Sequence, residues 1–225
     1  PLHNLRLARE PQRWRLALRY GLGSAICAAL AVNLGGAWLW LLWPCASLLL
    51  VALNYALFGA AGFQKHTDGS LSSASTWLLA PYLLGAWVNS RLWTRKHPQP
   101  DQVVEGVWLG RVPSAREAAP FAAVLDLSAE LPVHLPGKTY RNLPLLDLVA
   151  PDSEACSQGA ELIEQLRQQG PLLVCCALGY SRSATLVAAW LLHSGRANSD
   201  EQAIAMIRAA RPGIVLGEAP VSYTH

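Results

Sequence analysis

The residues best suited to chemistry in this 225-residue chain lie in one stretch, residues 176–183, with the sequence Cys-Ala-Leu-Gly-Tyr-Ser-Arg-Ser. The apolar run Leu172–Cys175 before it is typical of a buried strand, and an apolar helix is predicted over Ser183–His193. Backbone N–H groups of a loop between a strand and a helix converge on one point, and the positive end of the helix adds to their field. The stretch therefore predicts a binding site for phosphate or another oxyanion.

Three residues give this predicted site its chemistry. Arg182 can offer a planar pair of N–H groups to two phosphate oxygens. Gly179 permits a backbone conformation that a side chain would resist. The field that binds an anion also favours the thiolate form of Cys176. Nucleophile and anion site are therefore predicted to form one structure.

The same loop resembles that of a known family, the dual-specificity group of cysteine-dependent protein phosphatases. Four residues match the family's Cys-x2-Gly-x2-Arg-Ser loop: Cys176, Gly179, Arg182 and Ser183. Residues 104–110 resemble the family's opening segment, and residues 200–212 resemble its closing helix and Arg-Pro, so the similarity covers about residues 103–215. The apolar first half is similar to the anchors that precede such domains in some bacterial members.

The resemblance implies a mechanism that needs no metal and no cofactor. Cys176 would attack phosphorus in line and form a phosphocysteine intermediate, and Ser183 would hydrogen-bond the thiolate as it departs. The phosphoryl oxygens would be held by Arg182 and by the loop amides of Ala177, Leu178, Gly179, Tyr180 and Ser181. The implied enzyme is a tyrosine or dual-specificity phosphatase that acts on phosphotyrosine, phosphoserine or phosphothreonine in proteins, or on a phospholipid.

The mechanism also implies an aspartate on a separate loop, which protonates the leaving oxygen and then activates water. Asp147, 29 residues before Cys176, fits the family's spacing best. Asp152 is the second candidate, and its alternative role is to cap the helix that follows it.

One position departs from the family pattern. The family has histidine immediately before the nucleophile, whereas this chain has Cys175, which we expect to be a small buried residue at a strand end. Because that histidine helps to organise the loop and the thiolate, a second function stays open. It is a catalytically weak pseudophosphatase that binds phosphate at the membrane. The presence of the cysteine, arginine, glycine, serine and aspartate favours the active enzyme.

Strands and helices alternate around the loop. Apolar runs predict strands at Phe121–Leu125 and Leu143–Leu146, in addition to Leu172–Cys175. Helical spacing of apolar residues predicts a helix over Asp152–Gln169, and a capping box opens a last helix over 199–210. The alternation predicts an α/β domain with a central, mainly parallel sheet, preceded by transmembrane α-helices.

The composition changes near residue 98. Residues 1–98 hold nine lysines and arginines against two acids, whereas residues 99–225 hold nine against thirteen. We predict a membrane anchor over 1–97, a linker over 98–102 and a phosphatase domain over 103–225. The acidic second part argues against a nucleic-acid partner. The expected partners are a lipid bilayer and a phosphorylated protein or phospholipid substrate.

No charged residue occurs from Tyr20 to Gln64, whereas a spanning helix needs about 20 residues. We predict spans at about 37–63 and 71–90, with an extra apolar segment at 20–34 that is interfacial, re-entrant or a third span. Basic residues flank the region on both sides, and the positive-inside rule then favours two spans. The expected location is a bacterial inner membrane, with the catalytic domain in the cytoplasm.

Overall fold

The computed structural model describes residues 2–216 of the chain, and the side chains of residues 12–216. The predicted end of the phosphatase domain, residues 217–225, lies outside the described residues, as do the first side chains of the basic N-terminal flank.

The first half of the chain is helical. Its α-helices are α1 (Leu2–Leu34), α2 (Leu42–Leu53), α3 (Ser73–Leu78) and α4 (Ala80–Trp93). Three short turns of other helix types join or extend them: 3-10 turns at Gly36–Leu41 and Gly59–Phe63, and a π turn at Asn54–Phe58. The chain reverses after α1 at Gly35 and Gly36, whose φ values of 61° and 55° suit glycine.

Two helical segments in the described residues are long and apolar enough to cross a membrane, Gln12–Leu34 and Gly36–Phe63. The apolar stretch at 71–90 instead forms α3 and most of α4, which pack against α2. The boundaries of the membrane anchor stay a prediction.

The second half is an α/β domain built on a sheet of five strands within the described residues. The strands are β1 (Asp101–Val104), β2 (Val107–Arg111), β3 (Ala123–Ser128), β4 (Thr139–Leu145) and β5 (Leu172–Cys176). Their order is β1-β2-β5-β3-β4, with β1 antiparallel to β2 and the other pairs parallel. This confirms the predicted mixed α/β fold with a mainly parallel sheet.

Helices cover the sheet and place the loop. They are α5 (Ala115–Ala118), α6 (Ser153–Leu166), α7 (Arg182–His193) and α8 (Asp200–Ala210). The face of the sheet that carries Val174 and Cys176 packs against α6, α7 and α8. The opposite face carries Leu173 and Cys175 and packs against Leu131, Val133 and Leu135, in the segment that follows β3. Because side chains alternate along a strand, the two adjacent cysteines lie on opposite faces.

The helical half packs directly on the α/β domain. Val51, Tyr55 and Phe63 share a buried cluster with Ala129 and Leu146, which lie in the segments that follow β3 and β4. Both segments border the loop that follows β5. The helices therefore contact the walls of the predicted site, rather than only preceding it in the chain.

Candidate active site

The predicted nucleophile lies at the junction of a strand and a helix, as its sequence predicts. Strand β5 ends at Cys176 and helix α7 begins at Arg182, so the intervening residues form the loop between them. The Sγ of Cys176 is 3.2 Å from the Oγ of Ser183 and accepts a hydrogen bond from the N–H of Gly179 at 3.3 Å. Cys176 is only 3% exposed, and its sulfur therefore lies between the Gly179 N–H and the Ser183 hydroxyl with little access to water.

The loop carbonyls point away from that sulfur. The Oγ of Ser90 donates to the carbonyl of Ala177 at 2.5 Å, and Arg211 donates to the carbonyls of Leu178 and Gly179 at 3.1 and 3.0 Å. In a trans peptide the C=O and the following N–H point in opposite directions. Binding the three carbonyls from outside therefore directs the next three N–H groups into the loop, where an anion would be bound.

Gly179 adopts a conformation that other residues resist. Its φ is +76°, and a Cβ at this position would lie 2.4 Å from the carbonyl carbon and oxygen of Gly110. Gly137 has a similar φ of +73°, but nothing lies within 4 Å of the Cβ it would gain. Comparing the two glycines therefore distinguishes the cost of backbone strain, which both positions share, from the cost of steric overlap, which occurs only at Gly179.

We therefore expect Gly179→Ala to lower the free energy of unfolding by about 2–4 kcal/mol, the sum of strain and overpacking. Gly137→Ala should cost about 1 kcal/mol, from strain alone. Urea unfolding of the two variants measures the difference. Equal losses would mean that the contact with Gly110 is easily relieved.

Arg182 is held by a buried carboxylate. Its two terminal nitrogens donate to the two carboxylate oxygens of Glu130 at 2.9 and 2.7 Å, and one of them also donates to the carbonyl of Leu145 at 2.8 Å. Arg182 is only 2% exposed. Burial alone would raise the pKa of Glu130, but the charge and hydrogen bonds of Arg182 hold that pKa below its usual value. The guanidinium plane is thus fixed beside the thiol-bearing loop.

Asp147 lies on the segment after β4 and faces the same guanidinium. Its Oδ1 is 3.2 Å from a terminal nitrogen of Arg182. The Asp147 side chain is 38% exposed, and its partial burial raises its pKa; the charge of Arg182 opposes this, and the charge of Glu130 adds to the rise. The Oη of Tyr55 donates to the carbonyl of Asp147 at 2.9 Å and ties this segment to the helical half. A carboxyl that keeps its proton to a higher pH is suited to act as an acid.

The structure brings together the predicted Cys176, Arg182, Asp147 and Ser183. Asp152 caps α6, with its side chain accepting from the N–H of Ala155 at 2.7 Å. Tyr180 lies under the guanidinium of Arg211, 4.5 Å from ring centre to Cζ, and Ser181 is exposed at the start of α7.

Cys175 is fully buried on the other face of the sheet from Cys176. Burial raises the pKa of the Cys175 thiol well above its usual value. Cys175 pairs with Asp126 of β3 and packs among apolar side chains of the same face, so it is a small buried residue, as expected from its position near a strand end.

Three residues that shape the site were absent from the sequence-based candidates: Glu130, Ser90 and Arg211. The sequence marks Arg211 only as part of the Arg-Pro that ends the last helix. The sole local sign in the sequence that Glu130 has a role is that an acidic residue follows a strand whose residues are all buried. Ser90 belongs to α4, in the part of the chain that was expected to serve as anchor.

Known proteins share this sequence pattern and fold. The sequence profile described as the dual specificity phosphatase catalytic domain matches residues 107–220, just over half of the chain. The chain belongs to the dual specificity phosphatase family. The family assignment confirms the expected class of enzyme, a phosphatase.

Individual relatives agree with this assignment. Mouse dual specificity protein phosphatase 2 is 36% identical over 88 residues, which cover 38% of this chain and only 28% of that relative. The crystal structure of Tk-PTP in its active form has 29% identity and a TM-score of 0.50, and the match covers 56% of this chain and 94% of that one. A variant of human DUSP28 shows the same fold, with 23% identity, a TM-score of 0.50, and coverage of 56% and 91%.

Proposed function

We propose that this phosphatase hydrolyses phosphomonoesters at a membrane surface through a phosphocysteine intermediate on Cys176. The observation that carries the proposal is the position of the Cys176 sulfur. It is in contact with Ser183 Oγ and the Gly179 N–H, beside a loop in which three successive carbonyls, those of residues 177–179, are bound from outside. N–H groups that point into the loop and a fixed guanidinium can stabilise the negative charge on the three phosphoryl oxygens.

In the first step the Sγ of Cys176 attacks phosphorus, and the S–P bond forms as the ester P–O bond breaks. Asp147 gives its proton to the departing alcohol or phenol oxygen. In the second step a water molecule attacks phosphorus and gives a proton to the Asp147 carboxylate. The S–P bond then breaks, inorganic phosphate leaves, and the thiolate is stabilised by Ser183 and Gly179.

Membrane association is supported by exposed apolar side chains on the two candidate spanning segments. Trp40, Val32 and Leu22 are 77%, 75% and 64% exposed. Leaving such side chains in water is unfavourable by roughly 25 cal/mol per Å². A lipid bilayer would cover these surfaces, and the helices would then hold the active site close to it.

The substrate is a phosphorylated protein or a phospholipid. The variable loop positions are uncharged, namely Ala177, Leu178, Tyr180 and Ser181. They offer no extra cation for a headgroup with several phosphates. A phosphomonoester with a single phosphate therefore fits the loop better than a polyphosphorylated one.

The proposal is tested by assaying the full chain, purified in detergent and then in vesicles, on an aryl phosphate, phosphopeptides and a phospholipid monoester. Hydrolysis of the aryl phosphate supports the reaction, and the preferred natural class identifies the substrate. Phosphate binding without any hydrolysis would contradict catalysis and favour a pseudophosphatase.

The role of Asp147 predicts a change in pH dependence. Because the pKa of Asp147 is raised, wild-type activity should fall as the pH rises through that value and the acid loses its proton. Asp147→Asn should lower kcat by about 10²-fold or more and remove this fall, with the larger loss on alkyl phosphates, whose leaving groups need the proton most.

Asp152→Asn serves as the matched control, since it keeps a side-chain oxygen that can cap α6 and leaves the proposed acid in place. Its pH profile should match that of the wild type, and its stability should change by no more than about 0.5 kcal/mol, because asparagine caps a helix about as well as aspartate. Loss of the high-pH fall in Asp152→Asn, rather than in Asp147→Asn, would reassign the acid.

A further inference from the structure

Lys65 belongs to the helical half of the chain, yet its ammonium group is buried in the α/β domain. The residue follows the 3-10 turn Gly59–Phe63, and its side chain is only 1% exposed. The Nζ lies 2.5 Å from the Oδ2 of Asp126 and donates to the carbonyls of Ser128 and Leu131 at 2.9 and 2.5 Å. The Ser128 hydroxyl is also within 3.1 Å.

These contacts close the turn that follows β3 around the ammonium group. The two bound carbonyls, those of Ser128 and Leu131, lie on either side of Ala129 and Glu130. A lysine ammonium has three N–H donors and here finds an acceptor for each of them. The turn is therefore organised around Lys65 much as a loop is organised around a bound cation.

The turn held by Lys65 carries the carboxylate that orients Arg182. The carboxylate of Glu130 accepts hydrogen bonds from both terminal nitrogens of Arg182. The backbone position of Glu130 therefore sets the plane of the guanidinium. We propose that Lys65 is a positioning residue of the active site, acting through Glu130 on Arg182. The inference rests on the proposed role of Arg182 as the group that holds the phosphoryl oxygens.

The segment that delivers Lys65 is itself built into the α/β domain. Lys65 pairs with Leu71 in a short antiparallel bridge, and the carbonyl of Gly69 between them accepts from the N–H of Val133 at 2.9 Å. Gly69 has a φ of +90°, and a Cβ there would lie 2.5 Å from the Val133 carbonyl oxygen. The segment is thus fixed to the chain just after Leu131, the last residue that Lys65 binds.

Asp126 has other partners besides Lys65. Its carboxylate accepts from the Oη of Tyr140 at 2.6 Å and from the N–H of Ser128 at 2.9 Å. Removing the ammonium group would therefore leave Asp126 partly satisfied. The carbonyl of Leu131 would keep only a long contact of 3.4 Å with the Ser128 hydroxyl. The expected consequences are a loosened Glu130 turn and a substantial loss of stability, because the buried Asp126 carboxylate loses its countercharge.

A double-mutant cycle on phosphate affinity tests the proposal. Binding of inorganic phosphate to the full chain in detergent is measured by calorimetry for wild type, Lys65→Met, Glu130→Gln and the double variant. Each single change should weaken binding by about 10-fold or more, and the double variant should bind no more weakly than Glu130→Gln alone. Multiplied losses, or unchanged binding in Lys65→Met, would overturn the proposal.

Lys138→Met is the matched control. Lys138 also donates to two carbonyls of the α/β domain, those of Ala119 and Phe121 at 3.1 and 2.6 Å, but it does not contact the Glu130 turn. Its loss should leave phosphate affinity unchanged. Failure of the wild type to bind phosphate, or unchanged binding in Arg182→Lys, would instead refute the proposed function itself.

Chemical rescue covers the case in which Lys65→Met folds poorly. Lys65→Ala is prepared with propylammonium, which replaces the missing part of the side chain. Its phosphate affinity should then be at least about 5-fold higher than that of the same variant prepared with tetramethylammonium, which has no N–H to donate. Recovery of folding without recovery of phosphate affinity would make Lys65 a purely structural residue and overturn the inference.

Discussion

Cys176→Ser is expected to abolish turnover while leaving the fold and the anion site in place. Serine keeps the shape of the side chain and can keep the contacts to Ser183 and Gly179. Its hydroxyl, however, is a much weaker nucleophile than a thiolate when no base activates it. We expect kcat for an aryl phosphate to fall by at least about 10⁴-fold.

Two measurements separate loss of the nucleophile from loss of the structure. Inorganic phosphate should bind Cys176→Ser within about 3-fold of the wild type, because the loop amides and Arg182 are unchanged. Cys156→Ala removes another buried thiol of the same domain, on α6, and should keep wild-type turnover. Activity that persists in Cys176→Ser would show that the sulfur is not the nucleophile.

Arg182→Lys is expected to have the second largest effect. Lysine keeps the positive charge but loses the planar fork that the carboxylate of Glu130 now holds by two hydrogen bonds. An ammonium group has only three N–H donors and no planar fork, so it cannot keep both hydrogen bonds to Glu130 and also present two N–H groups to phosphate. We expect kcat/KM to fall by about 10³-fold, within the range seen when a donor to transition-state charge is lost.

Arg167→Lys provides the comparison, because Arg167 also makes two hydrogen bonds to one carboxylate, that of Glu164, but on the surface. An exposed pair of this kind contributes about 1 kcal/mol or less. Its replacement should leave kcat/KM within about 2-fold of the wild type. A similar loss in both variants would mean that Arg182 serves stability rather than phosphate binding.

The sequence was most informative where structure is local. The loop 176–182 could be placed because an apolar strand and an apolar helix flank it directly. The cap of α8 could be placed because its signal lies within four residues, and Ser199 does accept from the N–H of Gln202. Patterns of this length depend on neighbours in the chain, so tertiary contacts change them little.

Strands that depend on pairing with a neighbouring strand are harder to predict from the sequence. β1 and β2 are four and five residues long and were not predicted as strands, since such short runs gain their stability from the neighbouring strand. β4 begins at Thr139, well before the predicted Leu143, because its first residues pair in parallel with Ala123 and Val124 of β3. An apolar run marks only part of such a strand.

The contacts that orient the site were beyond prediction because they join distant parts of the chain. Glu130 lies 52 residues from Arg182, and Lys65 lies 61 residues from Asp126. Neither acid has a spacing pattern that marks its partner. The sequence also separates an apolar half from an acidic half, whereas the structure packs the two halves around one site.

The most direct test of catalysis by Cys176 is to trap the phosphorylated enzyme. Asp147→Asn slows the step in which water must lose a proton, so the intermediate should accumulate when the variant is mixed with an aryl phosphate and quenched in acid. Mass spectrometry of the peptide that contains residues 176–182 should then show one phosphoryl group on the Cys176 sulfur. A phosphoryl group on any other residue, or steady turnover with no trapped species, would contradict catalysis through phosphocysteine.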